Sequence, residues 1–100
     1  MNKYRLSKDA EDDLIEIARY AATEANLEIA EQLLAEIIDC IILLATHPKA
    51  GRTEEQYGRG IRSFPKNNFK ICYRPIRSGI LILHIFHGSR DQAKAWKGGK

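Results

Sequence analysis

Apolar and polar positions along this chain follow two different periods. From Ala10 to Ala21 the apolar residues recur every three or four positions, as Ala10, Leu14, Ile17, Ala18 and Ala21. That spacing predicts an amphipathic helix from about Lys8 to Thr23. Ala30, Leu34, Ile37, Ile41 and Leu44 repeat it, with Ile38, Ile42 and Ala45 alongside and Glu28, Gln32, Glu36 and Asp39 opposite. A second helix is therefore predicted up to Pro48. From residue 60 the period falls to two. Phe69, Ile71 and Tyr73 alternate with Lys70, Cys72 and Arg74, the pattern of a half-buried strand. Ile61 to Pro65 reads as the strand before it. The run from Ile80 to Phe86 does not alternate and predicts a central strand, apolar on both faces. Lys3 to Ser7 is a short strand with Tyr4 and Leu6 on one side.

Boundary residues fit these elements. Ser7 suits the N-cap of the first helix, and Asp9, Glu11, Asp12 and Asp13 place negative charge at its positive end. Asn26 can cap the second helix, Pro48 stops it, and His47 reads as an exposed helix-end residue. Asn67-Asn68 and Ser78-Gly79 mark two tight turns. Lys49 to Arg59 reads as a polar loop. His87 to Asp91 reads as a turn, and Gln92 to Trp96 as one helical turn with Trp96 docking back. The expected architecture is α+β, in the order β-α-α-β-β-β. An antiparallel helical hairpin packs on one face of a mainly antiparallel sheet. Residues 1–96 form one domain and 97–100 a disordered tail. Strict alternation puts Ile80, Ile82 and Phe86 on one side of the last strand and Leu81, Leu83 and Ile85 on the other. The hairpin shields one side only. An uncovered apolar face is therefore expected, with Leu43 adding to it from the second helix.

Composition narrows the class. One hundred residues with 44% hydrophobic content support one modest core. No apolar run approaches membrane-spanning length and no signal-peptide pattern opens the chain, so a soluble, unexported, cytoplasmic protein is expected. Cys40 and Cys72 stand outside any zinc spacing and read as buried, reduced thiols; no metal or cofactor is expected. Residues 1–50 hold five Lys/Arg against ten Asp/Glu, and residues 51–100 hold eleven against three. The sheet half is thus strongly basic, which suits a polyanionic or acidic partner or a solvated surface.

Little in the sequence looks catalytic. There is no phosphate loop, nucleophile elbow or metalloprotease motif. Cys72 and His84 both fall on strands, but nothing in the sequence orients the histidine as a base. Arg59, Arg62, Arg74, Arg90 and His87 cluster around the strand ends. Arginines suit phosphate or carboxylate, and RNA cleavage needs a base, an acid and cations. The alternative is structural: Arg62 and Arg74 pair with Glu54, Glu55 or Asp91.

The order of several short motifs carries a family resemblance. Tyr4-Arg5-Leu6-Ser7 leading to Ala10 and Asp13-Leu14 resembles the start of RelE/ParE-superfamily toxins. Leu43-Leu44-Ala45 before Pro48 and Gly51-Arg52, Gly60-Ile61-Arg62 before Phe64, and Tyr73-Arg74 are similar too. Ile82 through Asp91, reading ILHIFHGSRD, resembles the ParE-type ending. The resemblance implies the toxin of a type II toxin–antitoxin module of the plasmid-stabilising kind, neutralised by a ParD-like antitoxin. It implies DNA gyrase as the target, with no catalytic residue of its own. The alternative it implies is a RelE-like, ribosome-dependent mRNA endonuclease using Arg62, Arg74 and His87. No tyrosine follows the last strand, which favours the gyrase branch. Target- or antitoxin-binding residues are then expected among Arg59, Arg62, Arg74, His87, Arg90, Leu43, Ile82, Leu83 and Phe86.

Overall fold

A computed structural model of the protein describes residues 3–87. Two helices pack on one face of a five-stranded sheet. The elements are β1 (Lys3–Leu6), α1 (Lys8–Glu24), α2 (Leu27–Thr46), β2 (Arg52–Thr53), β3 (Arg62–Lys66), β4 (Phe69–Ile76) and β5 (Gly79–His87). Strand order is β1-β5-β4-β3-β2. β1 runs parallel to β5 and the other pairs are antiparallel, so the sheet is mixed and mostly antiparallel. β5 is central, as its unbroken apolar run requires.

Both predicted caps form. Ser7 Oγ accepts from the Ala10 N–H at 3.0 Å, and Asn26 Oδ1 accepts from Ile29 N–H at 2.8 Å. Each satisfies a first-turn donor that the helix itself leaves unpaired. Beneath the hairpin, Ala10, Ile37, Ile41 and Leu44 meet Ile71, Tyr73, Ile80, Ile82 and Ile85 of the sheet. The basic half therefore lies beneath the acidic half. The last turns of α2 split: Leu44 and Ala45 are buried, while Ile42 and Leu43 are about half exposed.

The second turn sits one residue earlier than the sequence suggests. Ile76 pairs with Gly79, which leaves Arg77-Ser78 as the loop and makes Gly79 the first residue of β5. Glycine is needed there for approach rather than turning. A Cβ at Gly79 would overlap the Lys3 carbonyl of the adjoining strand, and its φ of +154° also disfavours other residues. Asn67 does adopt the left-handed region expected of it, with φ 55°.

A bulge in β5 corrects the expected faces. Cys72 pairs with His84 and Tyr73 with Ile82, so Leu83 is the extra residue. Beyond it the phase shifts. Ile85 joins Ile80 and Ile82 under the helices, and Phe86 turns to the outer face with Leu83. That outer face is also not left open. The segment after α2, predicted as plain loop, contributes β2 and a single 3₁₀ turn at Glu55–Tyr57. Tyr57 and Ile61 close over Cys72 and Phe86, with Leu83 packed at the margin. The expected large apolar patch on β5 is therefore mostly covered within the chain. The domain limit at residue 96, the tail, Trp96 and the Arg90-Asp91 turn lie outside the described residues.

Candidate functional site

Three features stand out, and each follows from how neighbouring elements meet. The first is the loop leaving α2. Tyr73 Oη accepts from the Gly51 N–H at 2.8 Å and donates to the Pro48 carbonyl at 2.7 Å. Arg62 Nη1 donates to the Gly51 carbonyl at 2.7 Å and reaches the Lys49 carbonyl at 3.4 Å. Arg62 therefore ties down backbone, and among the described residues it pairs with neither Glu54 nor Glu55; Asp91 lies outside them. Gly51 is required because a Cβ would meet the Ser63 carbonyl and the Tyr73 hydroxyl at 2.6 Å. Burial pushes the Tyr73 phenol up, against the opposing Gly51 N–H and Arg62 charge.

The second feature is a buried carboxylate on the outer face. Glu54 is 2% exposed. It accepts from the Ser63 hydroxyl and from Gln56 Nε2, with Lys70 Nζ at 3.3 Å and Arg52 Nε at 3.6 Å. Burial opposes its ionisation. The hydrogen bonds from Ser63, Gln56 and Lys70, with the Lys70 charge, outweigh burial and hold it below the usual glutamate range.

The third is His84, which the bulge moves to the outer side of β5, across from Cys72 and beside Phe86, at the strand edge that α1 closes. Its Nδ1 lies 3.3 Å from Asp13 Oδ2 and its Nε2 3.6 Å from Asp9 Oδ2. The ring stacks on Phe86 at 4.9 Å. A histidine oriented by a carboxylate, directly across from a cysteine, resembles part of a nucleophilic site. No orienting group for this histidine was legible in the sequence, and the structure corrects that point. The thiol still argues against the chemistry. Cys72 is fully buried, and burial pushes it up to about 12, so it stays protonated at neutral pH.

The arginine–histidine set of the endonuclease alternative is not brought together. Arg62 pairs across from Tyr73, on the helix side of the sheet. Arg74 pairs across from Leu81, on the outer side. His87 pairs with Phe69, five residues along β4 from Arg74 or roughly 17 Å at strand spacing. The other expected surface residues divide. Arg59 and Leu43 are exposed and Leu83 is half-buried. Ile82 and Phe86 are 0% and 2% exposed, so they support the surface from below and offer little of it to a partner. Arg90 lies outside the described residues.

Sequence reasoning missed a groove. It has a volume of about 660 Å³ and lies among Ile17, Tyr20, Ala21, Leu33, Phe69 and His87. The distal half of α1 forms one wall and the β3–β4 hairpin with the end of β5 the other. Tyr20 is 68% exposed. The Phe69 and His87 rings meet edge to face at 5.5 Å. The available signal was Tyr20 and Leu33, aromatic and aliphatic residues beside their helix stripes. Among the described residues no cluster of His, Cys, Asp and Glu is arranged to hold a metal, and no helix is long and apolar enough to cross a membrane.

Comparison with known proteins agrees with this architecture. The toxin ParE1 of Caulobacter vibrioides is 29% identical over 91 residues, spanning 91% of this chain and 94% of that protein. A solved structure of a chromosomal ParDE toxin–antitoxin system from P. aeruginosa has the same fold, with a TM-score of 0.74. Its sequence is 23% identical, and the match covers 87% of this chain and 96% of that one. The model of the family described as the ParE toxin of the type II toxin–antitoxin system parDE matches residues 4–92, and the chain belongs to that family.

Proposed function

We propose that the protein acts by binding DNA gyrase and arresting its reaction, and that a ParD-like antitoxin neutralises it. Membership of the ParE family supports the toxin–antitoxin assignment. The carrying observation for a binding mechanism is the dispersal of Arg62, Arg74 and His87 over two sheet faces and both ends of β4. A phosphoryl-transfer site needs its base, acid and cations around one reacting atom. The groove beside α1 supports the antitoxin part. Its apolar floor and open length suit an amphipathic segment. Expression in bacteria tests the reading. The expected result is growth arrest with DNA breakage and intact mRNA 5′ ends, relieved by co-expressing the antitoxin. Discrete mRNA cuts with undamaged DNA would replace this reading with the endonuclease.

A further inference from the structure

The outer face of the sheet carries a second, chemically different surface at the end where β1 and β5 begin. Arg5 pairs with Leu81, and Leu81 pairs with Arg74, so two arginines flank one leucine in a single row across three strands. Tyr4 and Leu6 pack into the core, which turns Lys3 and Arg5 outward. The next row is Lys3, Gly79 and Ile76, followed by Arg77 in the turn. Arg59 lies nearby in the loop, since a Cβ added at the next residue, Gly60, would stand 4.0 Å from Arg74 Cγ. Lys3, Arg5, Arg59, Arg74 and Arg77 are all exposed. Among the described residues none of the five makes a side-chain ion pair or hydrogen bond, whereas Lys8, Arg19, Arg52, Arg62 and Lys70 all do.

We propose that this face binds the sugar–phosphate backbone of duplex DNA. Four of the five cations are arginine, whose rigid set of donors matches phosphate oxygens. Adjacent rows are about 6–7 Å apart and the ends of the Arg5–Leu81–Arg74 row about 10 Å apart, which spreads the charge over an extended polyanion. An acidic peptide fits less well. Peptide partners need a desolvated apolar anchor; the bulkiest apolar side chain of this face, Phe86, is closed beneath Tyr57 and Ile61, and Leu81 and Ile76 between the cations are already half-buried. Single-stranded RNA fits less well too, because stacking needs exposed aromatic rings, and Tyr57 and Phe86 are buried. The open apolar groove lies on the helix side, so a partner in the groove and DNA on the sheet occupy different faces.

Fluorescence anisotropy with a labelled random-sequence duplex tests this on the bare DNA, without gyrase, so that it and the gyrase reading can fail separately. The expected result is weak, sequence-independent binding that falls steeply with salt. Arg5→Gln with Arg74→Gln is expected to weaken it about tenfold at low salt and to lower the salt slope by about two. Lys8→Gln with Arg19→Gln removes the same net charge from cations already paired, and is expected to change binding less than about twofold. Circular dichroism of both pairs establishes that they fold. No duplex binding by the parent protein at about 50 mM salt overturns the proposal. So does equal weakening by the two pairs, or preferential binding of single-stranded RNA or of a poly-glutamate peptide.

Discussion

At the residue scale, Glu54 shows how a polar side chain in a basic half became structural. It is the one buried carboxylate among the described residues, and it pins the Arg52–Ile61 segment over the outer face through Ser63, Gln56 and Lys70. Because its folded value is lowered, its contribution is full above the ordinary glutamate value of about 4.3. It is lost as pH falls through the folded value below that. Glu54→Gln is expected to destabilise the protein by ~1–3 kcal/mol at neutral pH, the range for breaking a buried charged hydrogen bond. Thermal melts from pH 7 to 3 are expected to show a flatter acid limb in the variant; parallel curves would show that Glu54 does not set it. Cys72 makes the opposite case. Held protonated under Tyr57 and Phe86, it is expected to resist a thiol reagent at pH 7.4 until the protein is denatured. Rapid labelling of the native thiol would contradict this burial. Both thiols were legible as buried, because a free cysteine outside any metal or redox spacing is usually core. Glu54 was not, because Glu54 and Glu55 read alike in a sequence and only the register of β2 on β3 selects the inward one.

At the scale of elements, the junction of β1, α1 and β5 decides how the sheet ends. β1 covers β5 only as far as Ile82. Beyond it α1 takes over the edge. The Ser7 N–H donates to the Ile82 carbonyl at 2.9 Å, Ser7 Oγ to the Leu83 carbonyl at 2.9 Å, and the Ile85 N–H to Asp13 Oδ2 at 2.9 Å. An open central strand would otherwise expose unpaired donors and invite pairing with other chains. Asp13→Ala removes the acceptor and is expected to cost about 1–3 kcal/mol and to speed amide exchange at Ile85. Unchanged exchange there would show that the edge is closed by something else. The helices, their caps and four of the five strands were legible because period and capping are local. The bulge at Leu83 and the shifted turn were not, since each depends on which residue faces which across β4 and β5. The role of Asp13 was hidden for the same reason. Next to Asp12 in sequence it reads as dipole compensation, and only the bulge places Ile85 opposite it. The motif residues Pro48, Gly51, Arg62 and Tyr73 prove to be one hydrogen-bonded knot, so in this chain they hold the fold.

At the scale of the molecule, the fold separates two surfaces. The hairpin and the β3–β4 turn leave an apolar groove, and the opposite face of the sheet gathers cations that have no partner among the described residues. Charge asymmetry between the halves was visible in the sequence. Its distribution over two faces was not, because Arg62 and Arg74 differ only in which side of a strand they leave. That separation is the ground for the proposed binding mechanism, and supercoiling by purified gyrase tests it most directly. Relaxed plasmid, gyrase and ATP are incubated with the protein, then with the antitoxin added. The account predicts lost supercoiling with cleaved DNA trapped on gyrase, restored by antitoxin, and unaffected by His87→Gln beyond about twofold. Normal supercoiling at every toxin concentration, while the same preparation cuts mRNA on translating ribosomes, would contradict it.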